Sequence, residues 1–395
     1  MNVKTFGPVD ERALNQLTNC IQEAAFAVLC ADHHPGYSQP IGGAVAYANH
    51  ISPSGVGYDI ACGNKAVLTD AKLSDINIAK VMDDIVRLIG FGVGRPNPAP
   101  VDHAVFEKIA QAEFKPQRQL LDMTRQQLGT VGSGNHYVDI FADEQDRVWI
   151  GVHFGSRGFG HKTASGFLAM AKGKKFDEKA PEGEMDSPPV LFEVGSEIGQ
   201  SYIQAMLLAG EYAYAGRDVV CTKVLEILGA SEVESIHNHH NFAWRETHFG
   251  EEVWVVRKGC TPAFPGQKGF VGATMGSVSV ILEGVESADS REGLYSTVHG
   301  AGRVMSRTQA AGKMRWINGV PTRIKGGLID WEKSQQDLIE KGIELRGGGA
   351  DEAPGVYKKL DEVLEYHDGT VKILHRLRPV GVAMAGADVV DPYKD

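Results

Sequence analysis

The sequence predicts an α+β protein built as one catalytic unit, and three observations predict it. Helical and extended segments are both present but do not alternate strictly, which disfavours a doubly wound parallel sheet. There is neither a strand–GxGxxG–helix unit nor a P-loop. No Pro/Ser-rich linker divides the 395 residues, although length alone would allow about two or three domains.

The elements follow in order. "SDINIAKVMDDIVRLIG" reads as a helix with Ser74 as N-cap, an apolar face of Ile78, Val81, Met82, Ile85 and Leu88, and Gly90 at its end. Residues 90–103, "GFGVGRPNPAPVDH", are the most loop-like stretch. "RVWIGVHF", "EEVWVVRKG" and "GSVSVILEG" are short β-branched strands. "EVGSEIGQSYIQAMLLAGEYAYAG" reads as a long apolar-rich helix, and "VYKKLDEVLEYH" as a shorter amphipathic one.

Composition excludes several classes of function. The chain is 43% hydrophobic and 23% charged, a globular balance. No run of about 18 apolar residues is available to span a membrane. The N-terminus "MNVKTFGPVDERALNQL" lacks a signal-peptide pattern, so a soluble cytoplasmic protein is expected. Cys20, Cys30, Cys62, Cys221 and Cys260 are odd in number and form no CxxC pair, against a disulfide framework or a zinc knuckle. A formal net charge of −10 gives no global basic signature for nucleic acid. One local basic patch, Lys372, His375, Arg376 and Arg378 in "VKILHRLRP", reads first as a solvated face.

Chemistry concentrates where the 47 glycines cluster. In "YDIACG", Asp59 and Cys62 offer a hard and a soft ligand for Mn, Zn or Fe. In "GSGNHYVD", Asn135 and His136 end a glycine turn suited to phosphate oxygens or a metal. In "VHFGSRGFGH", His153 ends an apolar strand, and Arg157 beyond a Gly–Ser turn suits phosphate or carboxylate. If "ESIHNHHNF" is extended, His237 and His239 share one face, and His240 lies on the other with Ile236 and Phe242. "VRKGCTPAFPG" places Arg257 and Lys258 at a strand end. In "TVHGAGRVMSR", His299, Arg303 and Arg307 would share one face of a helix that starts at the glycines, where phosphate binds readily. The inventory is that of a metal-plus-phosphate site, and no GxSxG elbow supports serine hydrolysis.

Taken in order, "ADHHPG…IGGAVA", "GVGYDIACG", "GTVGSGNH", "GVHFGSRGFGH", "HHNF", "RKGCTPAFPG", "HGAGRVMSR", "DEAPGVYKKLDEV" and "LRPVGV" resemble the RtcB family of RNA ligases over about residues 29–386. The resemblance implies a single catalytic domain over residues 1–395, with 387–395 as a C-terminal extension. Its sheets would be mixed or antiparallel, flanked by helices around a dinuclear metal cleft. It implies an enzyme that joins an RNA 3′-phosphate or 2′,3′-cyclic phosphate to a 5′-hydroxyl, using GTP and a pair of Mn²⁺ ions. His299 would be the guanylylated histidine. Cys62 would be shared by both metals, joined by His136 and His153 at one and by Asp59 and His240 at the other. Asn135, Arg157, Lys258, Arg303 and Arg307 match positions that contact phosphates or RNA ends, and Gly300, Ala301 and Gly302 accompany the nucleotide. Asp32 and His34 would help position RNA ends. His239 would be a supporting or RNA-contacting residue, and His237 structural. A monomer or homodimer, with an activating factor, is compatible with the pattern.

The chain departs from the family pattern mainly around the base. Asp139 stands for a usual Glu, Thr274 for a usual Ser while Ser279 is kept, and the C-terminal Lys after "GV" is missing. Gly216 replaces Asn in a "YAxxNR" pattern. These departures suggest a diverged paralogue. The alternative they leave is a Mn-dependent RNA-end phosphoesterase, or a nucleotidyltransferase of altered nucleotide specificity.

Overall fold

The structure, a computed structural model, describes residues 2–179, 184–317, 320–387 and 389. The proposed extension 387–395 lies almost wholly outside these.

Two sheets dominate. The smaller orders its strands Asn2–Thr5, Ala24–His34, Ile41–Tyr47, Glu251–Lys258 and Asn241–His248. Its first pair is parallel and the rest are antiparallel. The larger runs Lys268–Val271, Ser279–Gly284, Val371–Gly386, Tyr137–Ala142, Arg147–Phe154, Gly63–Lys72 and Glu232–His239. Glu344–Gly348 joins it parallel to the long 371–386 strand. Mixed and antiparallel sheets with flanking helices make this the α+β architecture that the unalternating pattern predicts.

The larger sheet is covered on both faces, which explains why "RVWIGVHF" is almost continuously apolar. Val67, Val148, Ile150 and Val152 pack with Val220 and Val224 of the helix Glu197–Leu228 and with Met82 and Ile85 of the helix Ile78–Leu88. The alternate residues Ala66, Leu68 and Trp149 pack on the opposite side with Ile236, Phe270 and Leu377.

Helix boundaries differ in instructive ways. Ser74 is not the cap: it sits in a short turn, and the Asn77 side chain accepts from Lys80 N at 3.1 Å to start the helix at Ile78. The long helix starts at Glu197 behind Ser196, and runs past Gly216 to Leu228. Gly229, left-handed at φ 64°, ends it. "VYKKLDEVLEYH" is helical only over Leu360–Glu365, because Pro354–Val356 forms a separate tight turn before it. The strand in "GSVSVILEG" begins at Ser279.

One feature of register builds the site. Gly63 pairs with both Phe154 and His239, and Tyr137 pairs with His153. Antiparallel neighbours therefore bring two strand starts and two strand ends to the same edge of the larger sheet. Cys62, His136, His153 and His240 all sit at that edge.

Candidate metal centre and active site

The strand Glu232–His239 stops one residue short of His240, which lies in a bend before the strand Asn241–His248. Simple alternation therefore fails there. Ile236 and Phe242 belong to different core clusters, and Phe242 packs against His239 at 5.0 Å between ring centroids. His240 keeps the inward position expected of it, but Phe242 lies on the other side. His239 is only 4% exposed and stacks on Tyr214 of the long helix.

Cys62 sits at the centre. Its Sγ lies 3.2 Å from His153 Nε2 and 3.5 Å from His136 Nε2. His153 Nε2 and His240 Nε2 are 3.3 Å apart, and His136 Nε2 is 3.0 Å from Asp59 Oδ2. Two donor groups result: Asp59, Cys62 and His136, and Cys62, His153 and His240, each with its ligand atoms within 4.8 Å of one another. Cys62 belongs to both groups, His136 stands with Asp59, and His153 stands with His240, a partition of the donor atoms that differs from the one the resemblance implies. The register explains this, since His153 and His240 both flank the strand led by Cys62.

These donors fit a metal ion on chemical grounds. His153 Nδ1 donates to Asn135 O at 2.9 Å, which leaves Nε2 a bare lone pair facing a thiol and another imidazole. The Nδ1 atoms of His136 and His240 are buried with no hydrogen-bond partner. Burial holds the His153 and His240 rings well below the ordinary imidazole range, so they are neutral. Burial and the nearby Asp59 carboxylate push the Cys62 thiol well up. Converging lone pairs around a buried thiol make this a candidate metal-binding cluster.

Close backbone approach makes room for it. A Cβ at Gly155 would lie 2.1 Å from Asp59 Oδ1, and one at Gly132 would lie 2.1 Å from His136 Nδ1 and 2.4 Å from Arg157 Nη1. Only glycine fits at either position.

His299 approaches from the smaller sheet's side, directly after the strand Ser296–Val298. Its ring centroid is 4.9 Å from that of His240. Asp32, fully buried, accepts at one oxygen from His299 Nδ1 at 2.6 Å, His299 N at 3.1 Å and Gly300 N at 3.3 Å. Although burial opposes it, His299 holds the Asp32 carboxyl below its ordinary range. With Nδ1–H committed to Asp32, Nε2 is the free lone pair of the ring. The resemblance places Asp32 near RNA ends, and its contact with His299 is not read from the sequence. No local pattern signals a contact between residues 32 and 299.

The expected helix through His299, Arg303 and Arg307 does not form. Residues 299–306 are irregular, and a helix spans only Arg307–Ala311. The two arginines meet instead at buried Glu352, Arg303 Nη1 at 3.3 Å and Arg307 Nε at 3.0 Å. Glu352, also missed, is the acid of "DEAPGVYKK".

A cleft of about 940 Å³ opens between the two sheets. Its walls include His153, His299, Asn135, Asp139, Thr274 and Lys258. Gly300, Ala301, Gly302, Arg303 and Arg307 also border it. Lys258 Nζ donates to Tyr37 O at 2.6 Å. Arg157 adopts φ 55° and donates to Gly92 O at 2.9 Å, close behind His136. Ser279 lies behind the cleft and accepts from Ala273 N at 2.9 Å. The basic patch is neutralised by neighbours: Lys372 by Glu283 and Arg376 by Asp361, each at 2.7 Å.

Fold and site together define the class: an α+β enzyme whose inter-sheet cleft sets a Cys/His/Asp donor cluster beside a carboxylate-oriented histidine. The family model described as tRNA-splicing ligase RtcB matches residues 14–385. The chain belongs to the RtcB family. It is 30% identical to the RNA-splicing ligase RtcB of Escherichia coli strain K12, covering 94% of each chain. It is also 30% identical to the tRNA-splicing ligase RtcB of Archaeoglobus fulgidus, covering 94% of this chain and 90% of the relative. With the corresponding ligase of Thermococcus kodakarensis it shares 29% identity, over 94% of this chain and 91% of the relative. Among the described residues no helix is long and apolar enough to cross a membrane.

Proposed function

We propose that this enzyme is an RNA ligase acting in RNA splicing or repair. It joins a 3′-phosphate or 2′,3′-cyclic phosphate end to a 5′-hydroxyl end through a nucleotidylated His299. Membership of the RtcB family supports the ligase reading. The observation that carries the chemistry is the Asp32–His299 contact of 2.6 Å, which leaves His299 Nε2 free beside the donor cluster.

In this reading His299 Nε2 attacks the α-phosphorus of GTP. A P–N bond forms, pyrophosphate leaves, and the charge gained by the ring is stabilised through Nδ1–H by Asp32. A 2′,3′-cyclic phosphate end is first opened by water to the 3′-phosphate; GMP then passes to the RNA 3′-phosphate, freeing His299, and the 5′-hydroxyl displaces GMP as the 3′,5′-phosphodiester forms. Asp59, Cys62 and His136 would hold one divalent metal ion, Mn²⁺ by family resemblance, and Cys62, His153 and His240 a second. When bound, such ions neutralise phosphate oxygens and orient the leaving group. Lys258, Asn135, Arg303 and Arg307, which border the cleft, receive phosphates and RNA ends, and Arg157 supports His136 from behind.

The test is direct. The protein is incubated with Mn²⁺ and α-labelled GTP or ATP, and acid-labile label on His299 is sought. Label with GTP supports the reading, label with ATP alone reassigns the base, and no label with either nucleotide overturns it.

A further inference from the structure

Arg217 lies in the long helix, fully buried, and among the described residues its guanidinium hydrogen-bonds to no carboxylate. Burying a cation without a paired anion is expensive unless its donors are satisfied. Here neutral groups satisfy them. Nε donates to His237 Nε2 at 2.7 Å, Nη2 to His239 Nδ1 at 2.9 Å, and Nη1 to Ala61 O at 3.1 Å and to Phe154 O. Although burial pulls its pKa down to about 10, Arg217 remains a cation at neutral pH.

The choice of acceptors is informative. Ala61 precedes Cys62, Phe154 follows His153, and His239 precedes His240. A single guanidinium thus grips the three separate chain segments that deliver one complete donor group. One of them is under strain: Ala61 is left-handed at φ 61°, a conformation unfavourable for a residue with a Cβ. Its amide donates to Asn241 O at 2.7 Å and its carbonyl receives Arg217, so both sides of the strained residue are tied.

We infer that Arg217 is a positioning residue: its planar fork clamps the backbones beside Cys62 and His153 and the ring beside His240, presetting the Cys62–His153–His240 group for a metal ion. The inference rests on the metal reading above. An apolar side chain would fill the same space but leave two carbonyls and two imidazoles without their donor. Lysine would keep the charge but not the fork.

Chelator-treated wild type, Arg217→Lys and Arg217→Met are titrated with Co²⁺, following the thiolate-to-cobalt charge-transfer band of Cys62 and the melting temperature. Wild type is expected to saturate with a clear band. Arg217→Lys is expected to bind about 10- to 100-fold more weakly with a diminished band, the usual effect of removing a support outside the ligand set, and Arg217→Met at least as weakly. Leu17→Ala, a core change in the helix Glu11–Cys20, is expected to lower the melting temperature and leave Co²⁺ affinity unmoved. Should the Arg217 variants not fold, His239→Leu removes one of the four acceptors and is read instead, with an expected loss of about 3- to 10-fold. Wild-type affinity and band in a folded Arg217→Lys, or in His239→Leu, overturns the proposal. A wild type with no cobalt band overturns the metal reading itself, a separate result.

Discussion

Asp32 and His299 meet across the cleft floor: one carboxylate oxygen receives the ring Nδ1 at 2.6 Å and two successive backbone amides of the 299–300 segment. The contact fixes both the rotation and the tautomer of the ring. Asp32→Asn keeps the shape but loses the charge, and its amide NH₂ can drive the imidazole into the other tautomer. The rate of His299 labelling from α-labelled GTP is expected to fall about 10²- to 10⁴-fold, and His299→Ala to abolish it. Asp32→Asn labelling at the wild-type rate would show that Asp32 only supports the fold.

Cys62 is the only residue common to the two donor groups. Cys62→Ala should therefore weaken both together, whereas His136→Ala should weaken the Asp59 group and spare the His153–His240 group. Removing a support outside the ligand set typically costs 10- to 100-fold in affinity, so loss of Cys62 is expected to exceed about 100-fold. Elemental analysis after equilibration with Mn²⁺ reads this out. Retention of both metals by Cys62→Ala would refute the shared role.

What was legible in the sequence follows a physical boundary. Strands such as "RVWIGVHF" announce themselves because two buried faces demand continuous apolar residues. The candidate donors were legible as residue types beside glycines. Their partition was not, because spacing within a segment says nothing about which strand end abuts which. The same limit hid the contacts of Asp32 with His299 and of Glu352 with Arg307, whose partners lie far off in sequence. At His240 a local rule failed for a local reason: alternation holds only while the chain stays extended, and the bend there reverses the faces. The helix assumed from His299 onward failed because the glycines serve close approach and hydrogen bonding to Asp32.

Glu246 and Arg257 form a buried bidentate pair beside Lys258, with Nη1–Oε1 at 2.6 Å and Nη2–Oε2 at 2.9 Å, and His248 Nε2 is 2.7 Å from Oε2. Although burial opposes it, Arg257 and His248 hold the Glu246 carboxyl below its usual range. A carboxyl depressed in the folded state contributes stability that is present above the unfolded pKa and lost as pH falls through the folded one. Glu246→Gln is thus expected to cost about 3 kcal/mol at neutral pH, with the gap to wild type closing below about pH 4. Denaturant titrations at both pH values test it. A gap independent of pH would show that the charge of Glu246 does not matter.

Asp139 shows the opposite sign. It sits in the strand Tyr137–Ala142 opposite Val382, 5% exposed, and its Oδ1 has no hydrogen-bond partner. Burial pushes its carboxyl well above the ordinary range. A raised folded pKa means that the folded state holds the extra proton. That contribution is fully present below the unfolded pKa and fades as pH rises through the folded one. Asp139→Asn is neutral at every pH, so it should outlast wild type at pH 8 by on the order of 1 kcal/mol and match it near pH 4. Because Asp139 borders the cleft, the same variant should also change the ratio of GTP to ATP labelling at His299. Melting curves at the two pH values and parallel labelling reactions decide both points. Equal melting at pH 8 would mean that the carboxylate finds a compensating donor. An unchanged labelling ratio would remove Asp139 from nucleotide selection, and with it the main reason for regarding the base pocket as altered.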